Sequence, residues 1–228
     1  MNKFSRNELF DIVISDNKTT RDKFLSTFSD EVNAYVDGLL RAFDYLAELD
    51  DRMPKEDRAA WVQMFLFSAF NSILSSFHLL ISGFLVPAGN LMRSWSEALS
   101  MALLCSNSRI NTFDKFKANP SHFDVRKAPD TVARKRNSQI LMIDKDGWKK
   151  FLEINDHFHK CSHASAFALS SLAIFQGTGQ LTIGGEFDHG KLNEYRKELK
   201  LRIGACERLL ETAKVVEIHL TKDKHNYG

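Results

Sequence analysis

The sequence predicts an all-α protein: an up-and-down bundle of five to seven helices, with a small Gly-rich hairpin or loop insertion near 172–187. Apolar residues recur at helical spacing along most of the chain, so successive helices each have a stripe to bury. Pro occurs only 4 times and Gly 11 times in 228 residues, while Phe occurs 18 times, which favours long packed helices over loops. An apolar content of 43% and a charged content of 26% are those of an ordinary globular chain, long enough for one sizeable core. One domain is expected over 1–228, with a polar, frayed tail from about residue 222.

Residues 2–15 form a short amphipathic piece (Leu9, Phe10, Ile12, Val13) that Asp16-Asn17-Lys18 interrupts. Thr19 followed by Asp22 resembles a capping box and opens a long helix. Along it Phe24, Phe28, Val32, Tyr35, Leu39, Phe43 and Leu46 make one narrow apolar stripe, and Asp50 to Pro54 ends it. The next helix, about 55–82, is apolar on most sides and belongs at the centre of a bundle. Its Ser68, Asn71, Ser75, His78 and Ser82 step 3-4-3-4 and fall along one seam. Gly83 and Pro87 bracket a short turn, which makes the following helix (87–105) an antiparallel neighbour. Residues 107–130 are the least regular part, with a short helix at 112–118 and breaks at Pro120 and Pro129. A helix over 147–169 turns Trp148, Phe151, Ile154 and Phe158 inward, and a last one over 190–219 carries Leu192, Tyr195, Leu199, Ile203, Cys206, Leu210 and Ala213.

Three polar stripes lie on these apolar helices. They are the 68–82 seam, then Asn90, Arg93 and Glu97, then Asn155, His159 and His163. Meeting inside the bundle they would line a pocket of Asn71, His78, Asn90, Arg93, Glu97, Asn155, His159, Ser162 and His163. Arg93 and Glu97, at i,i+4, read first as an ion pair. His159 and His163 have the spacing of a zinc helix, but Lys160 stands where a zincin has its Glu, so neither metal nor cofactor is expected. Ser162 and Ser165 have no nucleophile elbow around them. Arg134-Lys135-Arg136 reads as a solvated basic knot. The net charge of +2 gives nucleic-acid binding only weak support, so the expected partner is a small ligand, a protein, or a second copy of the chain in a homodimer.

Cys105, Cys161 and Cys206 sit far apart in apolar helical patterns and read as free thiols. With no apolar segment in MNKFSRNELFDIV, the expected compartment is the cytoplasm. Ala59 to Met92 holds no Asp, Glu, Lys or Arg over 34 residues, long enough for a membrane span. Gln63, Asn71, His78 and five Ser argue instead for a buried helical hairpin, with a membrane-associated bundle as the lesser reading.

Ala88-x4-Arg93-x3-Glu97 and the later Ser/His segment, Asn155 to Ser165, resemble the signature of a broad bacterial all-α family of unknown function. The chain is loosely similar to abortive-infection-type proteins, and that resemblance implies an effector-type or binding protein in stress or phage defence. A second comparison is with the helical HEPN ribonucleases, which need Arg-x4–6-His on one helix. No Arg here has a His at that spacing, so such an enzyme would have to bring Arg93 and His159 or His163 together across helices, with a His as acid/base and Arg93 on phosphate. The residues leave enzyme and binding protein both open.

Overall fold

The computed structural model describes residues 5–136, 141, 145–162 and 184–222. Among them are nine α-helices and no strand: α1 (Arg6–Ile14), α2 (Lys18–Thr27), α3 (Ser29–Arg52), α4 (Asp57–Ile81), α5 (Leu85–Ser106), α6 (Thr112–Ala118), α7 (Ala128–Arg136), α8 (Lys145–His159) and α9 (Leu192–Lys222). The all-α bundle is therefore the fold, with more helices than the five to seven expected, because α2 and α3 stand in place of one predicted helix and α7 is additional. The Gly-rich insertion expected near 172–187 lies largely outside the described residues. So do His163, the C-terminal end of the 147–169 helix and the tail beyond Lys222. The described part of the helix expected over 147–169 ends at His159 and passes into a 3-10 turn, Lys160–Ser162.

Helix α5 is the axis of the molecule. It runs antiparallel to α4 and touches α6, α7, α8 and α9 as well. Met92, Trp95, Leu99, Met101 and Ala102 are completely buried on it, spread around the helix as the continuous apolar pattern requires. The α4–α5 connection is a Schellman turn, in which Phe84 N–H donates to Leu79 O and Gly83 N–H to Leu80 O, both at 2.9 Å. Gly83 has φ +87°, a conformation open to glycine but strained for any other side chain. Residues 185–186 pass directly over this turn, and a Cβ on Gly83 would stand 2.4 Å from the Glu186 backbone nitrogen.

Three local expectations are corrected. The Thr19 capping box does not form, because α2 already begins at Lys18, with Asn17 in the left-handed region and Asp16 accepting from Lys18 N–H at 2.9 Å. The long helix predicted from there is broken at Phe28 (φ −126°, ψ 36°). That break accompanies an aromatic cluster in which Phe24 and Phe28 both pack against Phe187 and Tyr195. Finally, Phe43 is 45% exposed, and the buried stripe of α3 runs Val32, Tyr35, Gly38, Ala42, Leu46, Leu49. At ~100° per residue Ala42 falls within about 15° of the centre of that buried stripe, whereas Phe43 lies about 85° from it.

Helix α9 closes the bundle. It lies along α3 and reaches α4, α5 and α8. Tyr35 links α3 to α4 by donating to Ile73 O at 3.2 Å and stacking on Phe77, ring centres 4.0 Å apart. At the far end Glu217 of α9 accepts from Tyr45 and from Arg52 of α3.

Candidate functional site

The three polar stripes do not converge. On α4, Ser68, Asn71, Ser75 and His78 are exposed, and only Ser82 at the turn is buried. The apolar positions decide this: Val62, Leu66, Ala69, Ile73 and Leu80, all completely buried, set the inner face and turn the seam to solvent. Asn71 and His78 therefore line no interior pocket, and Asn90 and His159 are exposed too.

Asn155 of the third stripe does reach α5, beside the Arg93–Glu97 pair, but it meets Ser96 there. Arg93 Nε donates to Glu97 Oε1 at 3.0 Å, with 25% and 17% of the two side chains exposed, so the pair is half-buried. One turn away Ser96 Oγ donates to Asn155 Oδ1 at 2.7 Å, which fastens α5 to α8. Glu97 lies within electrostatic reach of Arg126, whose guanidinium is raised chiefly by its hydrogen bond to Asp124. The Ser162 side chain and all of His163 lie outside the described residues.

A buried polar node stands where no stripe was expected. Arg202 of α9, fully buried, donates from Nε to Ser76 Oγ of α4 at 2.9 Å and from Nη1 to Glu198 Oε2 at 2.5 Å. Ser76 in turn donates to Ala88 O of α5 at 2.8 Å. His157 Nε2 of α8 lies 2.5 Å from the other Glu198 oxygen, and the Arg202 guanidinium caps the Phe158 ring at 5.1 Å. Four helices are thus pinned through one ion pair. Burial by itself raises the Glu198 carboxyl, but the Arg202 charge and the hydrogen bonds from His157 and Arg202 outweigh it and hold the group below the usual carboxylate range. Among the described residues Arg202 Nη2 has no hydrogen-bond partner. The sequence did contain a signal: Glu198 and Arg202 are i,i+4 and fall beside Tyr195, Leu199 and Cys206 of the buried stripe, a place where charges occur only in pairs.

The outward side of α4 is the other unusual surface. Phe67 (36% exposed), Met64 (51%) and Leu74 (44%) stand on it, and Val36, Leu40 and Phe43 of α3 are likewise exposed. Phe43 meets the partly buried Phe70 of α4 at 5.6 Å between ring centres. Between the large side chains runs an open groove of about 430 Å³, lined by Met64, Phe67, Ser68, Asn71, Ser72, Ser75 and Leu91. No described residue of α4 from Ala59 to its end carries a formal charge.

Among the described residues no three His, Cys, Asp or Glu side chains are grouped to hold a metal. Compared with protein-family models, curated proteins and solved structures, the chain matches none.

Proposed function

We propose that this chain is a binding protein that works through the outer face of α3 and α4, not through an intrabundle pocket. The observation that carries the reading is the uncharged, apolar and grooved surface of α4. Taking ~200 Å² for a fully exposed large apolar side chain, the three on α4 present roughly 260 Å² and the three on α3 roughly 300 Å². A surface of this kind marks an interaction site when polar groups accompany it, as Ser68, Asn71, Ser75 and His78 do here. The polar groups in the interior serve packing instead. Ser76, Glu198, Arg202 and His157 bond to one another across four helices, and Arg93 is engaged by Glu97.

The test is site-specific photocrosslinking in cells, with a benzophenone amino acid in place of Leu74 and, as control, in place of the exposed Lys197 on α9. The reading requires a discrete adduct at position 74 that is absent at 197 and is lost when Met64→Lys is added. No adduct at 74, or the same adducts at both positions, overturns it.

A further inference from the structure

The α4 face is complementary to itself. A two-fold axis through Asn71, perpendicular to the helix, pairs position 67 with 75, 68 with 74 and 64 with 78. Two flanking pairs then join a large side chain to a small one, Phe67 to Ser75 and Leu74 to Ser68, while Met64 meets His78, which is of similar size. The exposed residues of each copy project from a helix whose groove lies over Ser68, Ser72 and Ser75, so the phenyl and leucyl groups of one copy have hollows to fill on the other. Small residues between the large ones let two helix axes approach to ~8–10 Å. At the axis Asn71 meets its own copy, and an amide supplies both donor and acceptor, so the pair satisfies itself.

We infer that this face binds a second copy of the chain, in an antiparallel α4–α4 dimer whose two helices cross at Asn71. The inference rests on the reading of the face as a binding surface and adds its occupant. Charge is compatible with it, because an isologous contact places like residues near like residues, and α4 carries no formal charge from Ala59 to Ile81 that would repel its copy. The three large apolar side chains of α4 present roughly 260 Å², and Leu91, the seam and the adjoining apolar residues of α3 would have to supply the rest of the ~800 Å² per partner of a standard interface. Asn71 at the axis would fix the register, as a lone buried Asn does between paired helices. A lipid surface fits less well. α4 is long and apolar enough to cross a membrane, yet its inner face is packed in the bundle and four polar side chains run along its outer one.

The experiment measures the mass of the purified full chain by sedimentation equilibrium. The parent should be a dimer. Phe67→Ser and Ser75→Phe should each weaken the dimer at least about tenfold. The double variant Phe67→Ser/Ser75→Phe exchanges large and small across both symmetry-related contacts, and should return the dissociation constant to within about tenfold of the parent. In a separate variant, Asn71→Cys should give a disulfide-linked dimer on oxidation, because residues on the axis fall within the ~7 Å Cα separation that a disulfide needs. The native thiols are all buried and leave that reaction to the new one. A parent that is monomeric at every concentration overturns the inference, as does a dimer that neither responds to the single changes nor crosslinks at 71. Co-sedimentation of a monomeric parent with phosphatidylcholine–phosphatidylglycerol vesicles overturns it in favour of a lipid partner. A monomeric parent that still gives the position-74 adduct with a different protein removes the second copy and leaves the binding face standing.

Discussion

Replacing Arg202 with Met tests the buried node that holds α4, α5, α8 and α9 together. Arg202 is fully buried and Glu198 is 1% exposed, so removing the guanidinium leaves a carboxylate in the core with only His157 beside it. Breaking such a pair costs ~3–5 kcal/mol, a large share of the ~5–15 kcal/mol that holds a domain folded. With a urea slope of ~2 kcal/mol/M, the midpoint should fall by about 1.5–2.5 M. Glu198→Gln should do similar damage by stranding the cation. The double variant Glu198→Gln/Arg202→Met should recover much of the loss, because it removes both charges and also the unpartnered Nη2 donor, itself a cost of ~1–3 kcal/mol. Acid adds a second reading. The carboxyl titrates at its ordinary value of 4.5 when unfolded and lower when folded, so the pair's contribution is complete above about pH 4.5 and drains away as pH falls towards the lowered value. That part of the parent's acid sensitivity should be missing from Glu198→Gln. Protein concentration must be held constant throughout, since a dimer's midpoint moves with it. Single variants within about 0.3 M of the parent, or a double variant equal to the sum of the two singles, would refute the node as a coupled buried pair.

Two other positions give sharp expectations. Gly89→Ala would raise helix propensity by ~1 kcal/mol on an open surface, but its Cβ would stand 2.3 Å from Cys161 Sγ and 2.6 Å from Cys161 Cβ. The variant should therefore lose ~1–3 kcal/mol in a urea melt, as overpacked cores do, and Cys161→Gly in the same chain should restore part of it; a stabilised Gly89→Ala would show that α5 and the 160–162 turn are not in contact. Burial pushes the thiols of Cys105, Cys161 and Cys206 up to about 12, so none should react with Ellman's reagent at pH 8 until the chain unfolds. A thiol titrated at once in the native protein would place that cysteine at the surface.

The fold could be read from the sequence because burial needs only a periodic stripe, and that signal is long and redundant. The helices containing Tyr35, Leu66, Trp95, Phe158 and Leu199 all cover their predicted apolar positions, although the first is broken at Phe28 and the described part of the Phe158 helix ends at His159. The site was less legible, for a reason visible on α4. A helix that is apolar on most sides has no single inward face in its sequence, and the 3-4-3-4 line of Ser68, Asn71, Ser75 and His78 has the same period whether it points into a bundle or away from it. Only the packing of Val62, Leu66, Ala69, Ile73 and Leu80 against α5 and α9 chooses between the two. Ser76, one residue past the seam, is rotated ~100° from it, and that step separates an exposed hydroxyl from the buried one that receives Arg202. The same ambiguity explains why a charge-free run of 34 residues stands here in a helical bundle. One side of α4 is spent on the core, and the other keeps an apolar surface with polar groups at its centre. That second side has no use in an isolated bundle, where a Lys or Glu at 64, 67 or 74 would be more soluble and no less stable. On the proposed reading its composition answers a partner with the same need, and a second α4 would be one.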